Sequence, residues 1–163
     1  MLTAMCIAAA NYIIRKTNDF NKGKKYSDRI SMTCKRLQKL LYFSEIEYMK
    51  QNSGQPMLKE NFHAWPSGPV IPSVYDVFVQ YQDGEMYPVD EAGHSKITPE
   101  MIKALESVFK QTINTDTLEL VEFSHIPGGP WATVYNPNDQ YHTQIIDKQN
   151  VFSFYKNRSM FSL

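Results

Sequence analysis

The segment FHAWPSGPVIP at residues 62–72 sets the architecture of this chain. Its three prolines and one glycine exclude a helix interior, because proline lacks a backbone N–H and has a fixed φ. The same segment carries apolar side chains that favour burial, namely Phe62, Trp65, Val70 and Ile71. We therefore expect a rigid junction with helices packed around it.

Apolar residues at helical spacing flank this junction on both sides. They predict helices over residues 3–16, 31–51, 73–81 and 98–111, a shorter helix capped by Asn114 or Thr115, a helical turn to Tyr135, and a last helix over 148–156. Thr98-Pro99-Glu100 is typical of a helix start, and Asp147 is expected to cap the last helix. Gly54 is expected to end the second helix in the left-handed conformation. Residues 17–30 and 85–96 are polar and predict loops.

The predicted fold class is mainly α. Residues 57–65 alternate in part and predict a short β segment or hairpin before the Gly-Pro-Val junction at 68–70. The whole pattern indicates a compact single-domain helical bundle of about six to seven helices. No repeat or linker divides residues 1–163, a length that suits one domain.

Charge is unevenly distributed along the chain. The formal net charge is zero at pH 7, which gives no general reason to expect a nucleic acid or membrane partner. Residues 1–60 nevertheless hold 11 Lys and Arg against 5 Asp and Glu. This excess is compatible with a solvated face, with docking of an acidic partner, or with binding of phosphates. The candidate basic surface comprises Lys22, Lys24, Lys25, Arg29, Lys35 and Arg36.

Neither secretion nor a disulfide framework is indicated. Cys6 and Cys34 lie in apolar helical stretches and are expected to be small buried thiols. The apolar residues 1–14 have no basic segment before them and are too short to span a bilayer. We therefore expect a cytoplasmic protein.

The residues that carry chemistry in other proteins form no familiar pattern here. His63, His94, His125 and His142 lack the spacing of a zinc site, so we expect no metal and no cofactor. Ser124-His125 lies on a turn without a G-x-S-x-G elbow, so we expect no catalytic residues and no enzyme. Trp65 and Trp131 are interpreted as core residues. Gln38 and Lys39 interrupt an apolar helix face, and we expect their stems to run along the core edge with their polar ends in water.

Three motifs in order resemble the Panacea-domain family, the SocA-like antitoxins and phage-associated proteins. The first, RLQKLLYF at 36–43, contributes Leu37, Gln38, Lys39, Leu40 and Tyr42. The second, ENFHAWPSGPVIPSVY at 60–75, contributes Phe62, Ala64, Trp65, Gly68, Pro69, Val70 and Tyr75. The third is Ser124-His125 followed by Pro130-Trp131. The resemblance covers roughly residues 4–155, although the basic stretch 17–30 is longer than in most relatives.

This resemblance implies an antitoxin of a bacterial or prophage toxin–antitoxin pair. Such a protein would neutralise a toxin encoded by an adjacent gene through direct protein binding. Two alternatives stay open: an adaptor that delivers the toxin to a protease, and a DNA-binding regulator of its own operon. The resemblance supplies no catalytic residue, and the motif residues either support the fold or contact the partner.

Overall fold

The computed structural model of the protein describes residues 4–81, 85–89 and 97–163. Within these ranges it has seven α-helices, two 3-10 turns and three short strands, so the predicted mainly helical class is confirmed. The helices are α1 (Met5–Asn21), α2 (Cys34–Gln51), α3 (Pro72–Phe78), α4 (Pro99–Thr112), α5 (Thr117–Ser124), α6 (Pro130–Val134) and α7 (Lys148–Tyr155). The strands are β1 (Phe62–Trp65), β2 (Gly68–Val70) and β3 (Ile145–Ile146), and the 3-10 turns are Tyr26–Asp28 and Val79–Tyr81.

The first helix is longer than its prediction. It continues past residue 16 to Asn21, so the predicted loop 17–30 begins only at Lys22. Thr17 is buried and its hydroxyl donates to the Ile13 carbonyl, which lets a polar residue stay inside the helix. Phe20 then packs edge-on against Phe109 of α4. Tertiary packing thus overrides the polar composition, and the predicted start at Thr3 lies outside the described residues.

Helix α2 is the centre of the fold. It packs against α1, α3, α4, α5, α7 and β2, and Leu37 to Ile46 are all buried. It begins at Cys34 rather than at residue 31, because the Thr33 side chain accepts a hydrogen bond from the Arg36 N–H at 3.1 Å. It ends at Gln51 as predicted, and Gly54 follows in the left-handed conformation with a φ of +84° and with its N–H donating to the Met49 carbonyl at 2.8 Å.

The three strands form one antiparallel sheet in the order β2-β1-β3. Strands β1 and β2 form the predicted hairpin, with His63 opposite Val70 and Trp65 opposite Gly68. Strand β3 was not predicted. It is only two residues long, and His63 pairs with Ile145 across 82 positions of sequence. A strand this short leaves no periodic signal in the sequence.

The later helix starts follow local capping chemistry. Thr98 accepts a hydrogen bond from Met101 and Asp147 accepts one from Asn150, as predicted. The prediction of Asn114 or Thr115 as the α5 cap is wrong, because Asp116 holds that position and accepts from Glu119 at 2.8 Å. Of the predicted loop 85–96, residues 85–89 have no regular secondary structure and 90–96 lie outside the described residues. No helix in the described part of the chain is long and apolar enough to cross a bilayer.

Candidate functional site

The first motif meets the second through two buried polar side chains of α2. The Gln38 amide accepts from the Ile71 N–H at 2.8 Å and donates to the Ile71 carbonyl at 3.2 Å, as a neighbouring strand would. Lys39 donates from Nζ to the Pro69 carbonyl at 3.0 Å. Gln38 is 2% exposed and Lys39 is 0% exposed, so the expectation that their polar ends reach water is wrong. These two side chains take the place of the backbone hydrogen-bond partners that strand β2 and the residue after it lack.

Gly68 lets the β1–β2 hairpin approach Gln38 and Lys39 of α2 closely. Its φ is +118°, and a Cβ built there would lie 2.7 Å from Lys39 Cε and 2.8 Å from Ser124 Oγ. The residue at this position must therefore lack a side chain for both conformational and steric reasons. Hairpin, α2 and the end of α5 meet at this glycine.

The third motif joins the same junction. Trp131 donates from its indole N–H to the Trp65 carbonyl at 2.8 Å. The His125 ring stacks on Trp131 with 3.6 Å between centroids, and the Tyr135 ring stacks on it at 4.5 Å. Trp131 is buried as expected for a core residue, whereas Trp65 is half-buried and packs edge-on against Tyr75.

All three motifs thus converge on one structure, which we call the hairpin junction: residues 38, 39, 65–71, 124, 125 and 131. Most of it is buried, whereas Trp65, Ser67 and His125 are half-buried and Pro66 is exposed. The other motif residues lie around it: Leu37, Leu40, Tyr42, Phe62, Ala64 and Pro130 are buried, and Tyr75 is half-buried.

Burial makes the hairpin junction electrostatically unusual. Burial and the nearby Lys35 charge lower the pKa of Lys39 from 10.5 to about 7. Burial and the Lys39 charge also lower the pKa of His125, and a hydrogen bond to the Ser67 backbone raises it in part. The pKa values of these two neighbouring nitrogen bases are therefore both shifted toward the neutral form.

We expect the free energy of unfolding to depend on pH through Lys39. Between about pH 7 and about pH 10.5 the unfolded chain holds a proton on Lys39 that the folded chain has lost. Stability contributed by this residue therefore rises with pH across that window. Between neutral pH and about pH 10, the free energy of unfolding of the wild type should rise by a few kcal/mol more than that of the non-titrating Lys39→Met variant. Denaturant unfolding of both proteins at a series of pH values measures this. A difference that stays constant with pH would show that Lys39 remains charged when folded.

Ser124 and His125 do not form a catalytic pair. The Ser124 hydroxyl donates to the Val121 carbonyl at 2.8 Å, and the His125 ring turns toward Trp131. A serine nucleophile needs its hydroxyl hydrogen-bonded to the base. Nor do three His, Cys, Asp or Glu side chains come together as metal ligands within the described ranges, which do not include His94.

A second polar cluster, which sequence reasoning missed, ties α7 to α2. Glu45 is buried and forms an ion pair with Lys148 at 2.6 Å. Its carboxylate also accepts from the N–H groups of Met57 and Leu58 at 2.5 and 3.3 Å. The sequence did show Glu45 as an acid on the apolar face of the helix predicted over 31–51. Its partner Lys148 lies 103 positions away, and no local pattern connects the two.

The candidate basic surface is only partly a surface. Lys22, Lys25, Arg29 and Lys35 are exposed, and Lys24 is half-buried with Nζ 4.0 Å above the Phe20 ring. Arg36 does not belong to it, because it is 4% exposed and donates to the carbonyls of Thr112 and Thr115 at 3.0 and 2.7 Å. The Thr112 carbonyl is the last of α4 and also accepts from the Thr115 N–H at 3.0 Å, and the Thr115 carbonyl lies in the turn between α4 and α5.

Comparison with known proteins finds a family match over the part of the chain that contains the hairpin junction. The family described as Antitoxin SocA-like, Panacea domain matches residues 37–132, which is more than half of the chain and includes the whole hairpin junction. The chain belongs to the SocA-like Panacea family. It is also 31% identical over 112 residues to Antitoxin SocA of Caulobacter vibrioides (strain NA1000 / CB15N). That alignment covers 61% of this chain and 58% of the relative, so the Panacea chain spans little more than half of the relative's length. No solved structure matches it significantly.

Proposed function

We propose that this Panacea-domain protein is an antitoxin that neutralises a cognate toxin by direct protein–protein binding in the cytoplasm. The observation that carries the proposal is the family match across the hairpin junction, together with the likeness to a protein named an antitoxin. Residues 4–155 would act as a single binding unit.

The hairpin junction supports a binding role over an enzymatic one. Its polar groups are directed at backbone atoms of the protein itself: Gln38 at Ile71, Lys39 at Pro69, and Trp131 at Trp65. The Ser124 hydroxyl is likewise directed at a backbone carbonyl rather than at the adjacent imidazole. Side chains used in this way stabilise a rigid scaffold, and a rigid scaffold lowers the entropic cost of binding a partner.

Coexpression with the product of the adjacent reading frame tests the proposal. We expect the neighbour to arrest growth when expressed alone, and growth to recover when this chain is coexpressed. We also expect the two proteins to copurify at a fixed ratio, with a toxin level that does not depend on cellular proteases.

The other outcomes separate the alternatives. Recovery of growth with protease-dependent loss of the neighbour would indicate a proteolytic adaptor. Recovery without a complex and without loss of the neighbour would indicate chemical reversal by an enzyme. Binding to the upstream promoter in place of the neighbour would indicate a transcriptional regulator. A neighbour that is harmless alone would contradict the antitoxin function.

A further inference from the structure

One aromatic side chain is far more exposed than the fold requires. Tyr26, in the 3-10 turn that follows α1, is 89% exposed. A single exposed tyrosine is ordinary, but this one lies in the segment Lys22–Arg29, which we call the basic loop. That loop carries four cations and one carboxylate: Lys22, Lys24, Lys25, Arg29 and Asp28.

The basic loop is held in one shape by its own hydrogen bonds. Asn21 closes its base, since the side chain accepts from the Ile30 N–H and donates to the Ile30 carbonyl, both at 2.8 Å. Arg29 donates from Nε across the loop to the Lys24 carbonyl at 2.9 Å. Gly23, with φ of +76°, turns the chain away from α1. The loop therefore presents Tyr26 without the ordering cost that a floppy loop would incur on binding.

A second exposed tyrosine lies beside the basic loop. Arg29 forms an ion pair with Glu85 at 3.6 Å, and the Tyr87 hydroxyl donates to Glu85 at 2.6 Å. The segment that carries Tyr87 is fastened to α1 through the Asn18 side chain, which donates to the Met86 carbonyl at 3.0 Å. Tyr87 is 52% exposed. Tyr26 and Tyr87 thus lie on two segments that the Arg29–Glu85 pair joins, and the basic loop, one of the two, also carries the exposed cations Lys22 and Lys25.

We propose that the basic loop together with Tyr87 is the surface that docks an acidic face of the toxin. This inference rests on the proposed antitoxin function. Tyrosine and arginine dominate the energetic centres of protein interfaces, and surrounding charges of opposite sign set the partner and speed the encounter. The excess of cations selects a partner surface rich in Asp and Glu.

The loop suits a protein partner better than a nucleic acid. Lys24 is engaged with its own chain, through the Phe20 carbonyl at 2.7 Å and the Phe20 ring, and Arg29 is paired with Glu85. Lys22 and Lys25 remain, and two cations neutralise too few phosphates for tight binding to a polyanion. The zero net charge of the chain also provides no long-range attraction to DNA.

Titration of the variants with the purified product of the adjacent reading frame tests this surface. We expect Tyr26→Ala to weaken binding by at least about 30-fold, the loss typical of an interface hot spot. The Lys22→Glu, Lys25→Glu double variant should weaken it by about 10-fold or more, with a smaller effect at high salt. All variants should keep the wild-type melting temperature, because these side chains are exposed.

Matched controls distinguish the surface from general effects. Tyr141→Ala removes a tyrosine that is 78% exposed in the loop before β3. The Lys59→Glu, Lys156→Glu double variant makes the same charge change at two other exposed lysines. Both controls should bind like wild type.

The possible results separate this inference from the function on which it rests. If wild type does not bind the neighbour, the antitoxin function fails and the surface assignment fails with it. If wild type binds and the basic-loop variants bind equally well, the function stands and the surface assignment is wrong. If the loop variants instead lose binding only to a promoter duplex, in a salt-dependent way, the loop is a nucleic-acid site and the proposal is overturned.

Discussion

Replacing Gly68 with alanine is expected to destabilise the protein by about 4 kcal/mol, the sum of a strained φ and an overpacked contact. The φ of +118° is one that residues with a Cβ rarely adopt. The added methyl would also lie 2.7 Å from Lys39 Cε and 2.8 Å from Ser124 Oγ. Lys39 has no water-filled space to move into, since it is buried and bonded to the Pro69 carbonyl.

Thermal and denaturant unfolding of Gly68→Ala measures this cost. For a domain of this size we expect the melting temperature to fall by about 8–16 °C. Gly23→Ala is the matched control, because its φ of +76° is also positive but nothing lies within 4 Å of an added Cβ. That control should lose only about 1–2 kcal/mol.

A double variant separates steric contact from backbone strain at this glycine. Gly68→Ala should cost less in a Ser124→Ala background, because one of the two close contacts is then removed. Equal costs in both backgrounds would show that the Ser124 contact contributes nothing and would leave the effect to φ and to the contact with Lys39. A loss for Gly68→Ala no larger than that for Gly23→Ala would contradict the close packing of the hairpin junction.

Glu45→Ala is the second large effect, with an expected loss of about 3–5 kcal/mol. The substitution takes the carboxylate from the largely buried Lys148 ammonium, which keeps the Leu58 carbonyl, and it removes the acceptor of the Met57 and Leu58 N–H groups. Burial raises the pKa of Glu45, although Lys148 and the two N–H groups lower it in part. Burial of the Glu45 carboxylate is thus unfavourable by itself, and its ion pair and hydrogen bonds offset part of that cost.

Two comparisons check the Glu45 prediction by denaturant unfolding. Glu85→Ala breaks the exposed Arg29–Glu85 pair and should change stability by less than about 1 kcal/mol. The double variant Glu45→Gln, Lys148→Met should be less destabilised than the sum of its single variants, because it removes the unpaired ammonium and keeps an acceptor for the N–H groups. Strict additivity would show that Glu45 and Lys148 do not stabilise each other.

Much of the fold was predictable where the cause is local. Thr98 and Asp147 cap helices through a side chain and an N–H three residues apart, and Gly54, just after α2, donates back to the Met49 carbonyl. The same is true of the β1–β2 hairpin, whose turn residues adjoin its strands. Where several capping residues adjoin, composition alone does not choose among them: Asn114 or Thr115 was predicted before α5, and Asp116 is the cap.

The sequence predicted which residues belong to the candidate sites better than it predicted what those residues contact. The sequence identified Gln38, Lys39 and Trp131 as members of motifs, and it identified Lys22 to Arg29 as a basic segment. It did not show that the first three bond to the hairpin backbone, or that Arg36 leaves the basic surface to bond the end of α4. Burial of a charged side chain depends on acceptors that only the folded chain supplies.

Interactions between near neighbours in the chain therefore follow from the amino-acid order: the helices, their caps, the hairpin and the family motifs. Interactions between distant residues follow from packing. The third strand, the continuation of α1 to Asn21, the Glu45–Lys148 pair and the neutral tendency of Lys39 all depend on groups that folding brings together from 30 to 103 positions apart. The free energy of each depends on burial, and burial is a property of the assembled core rather than of any segment.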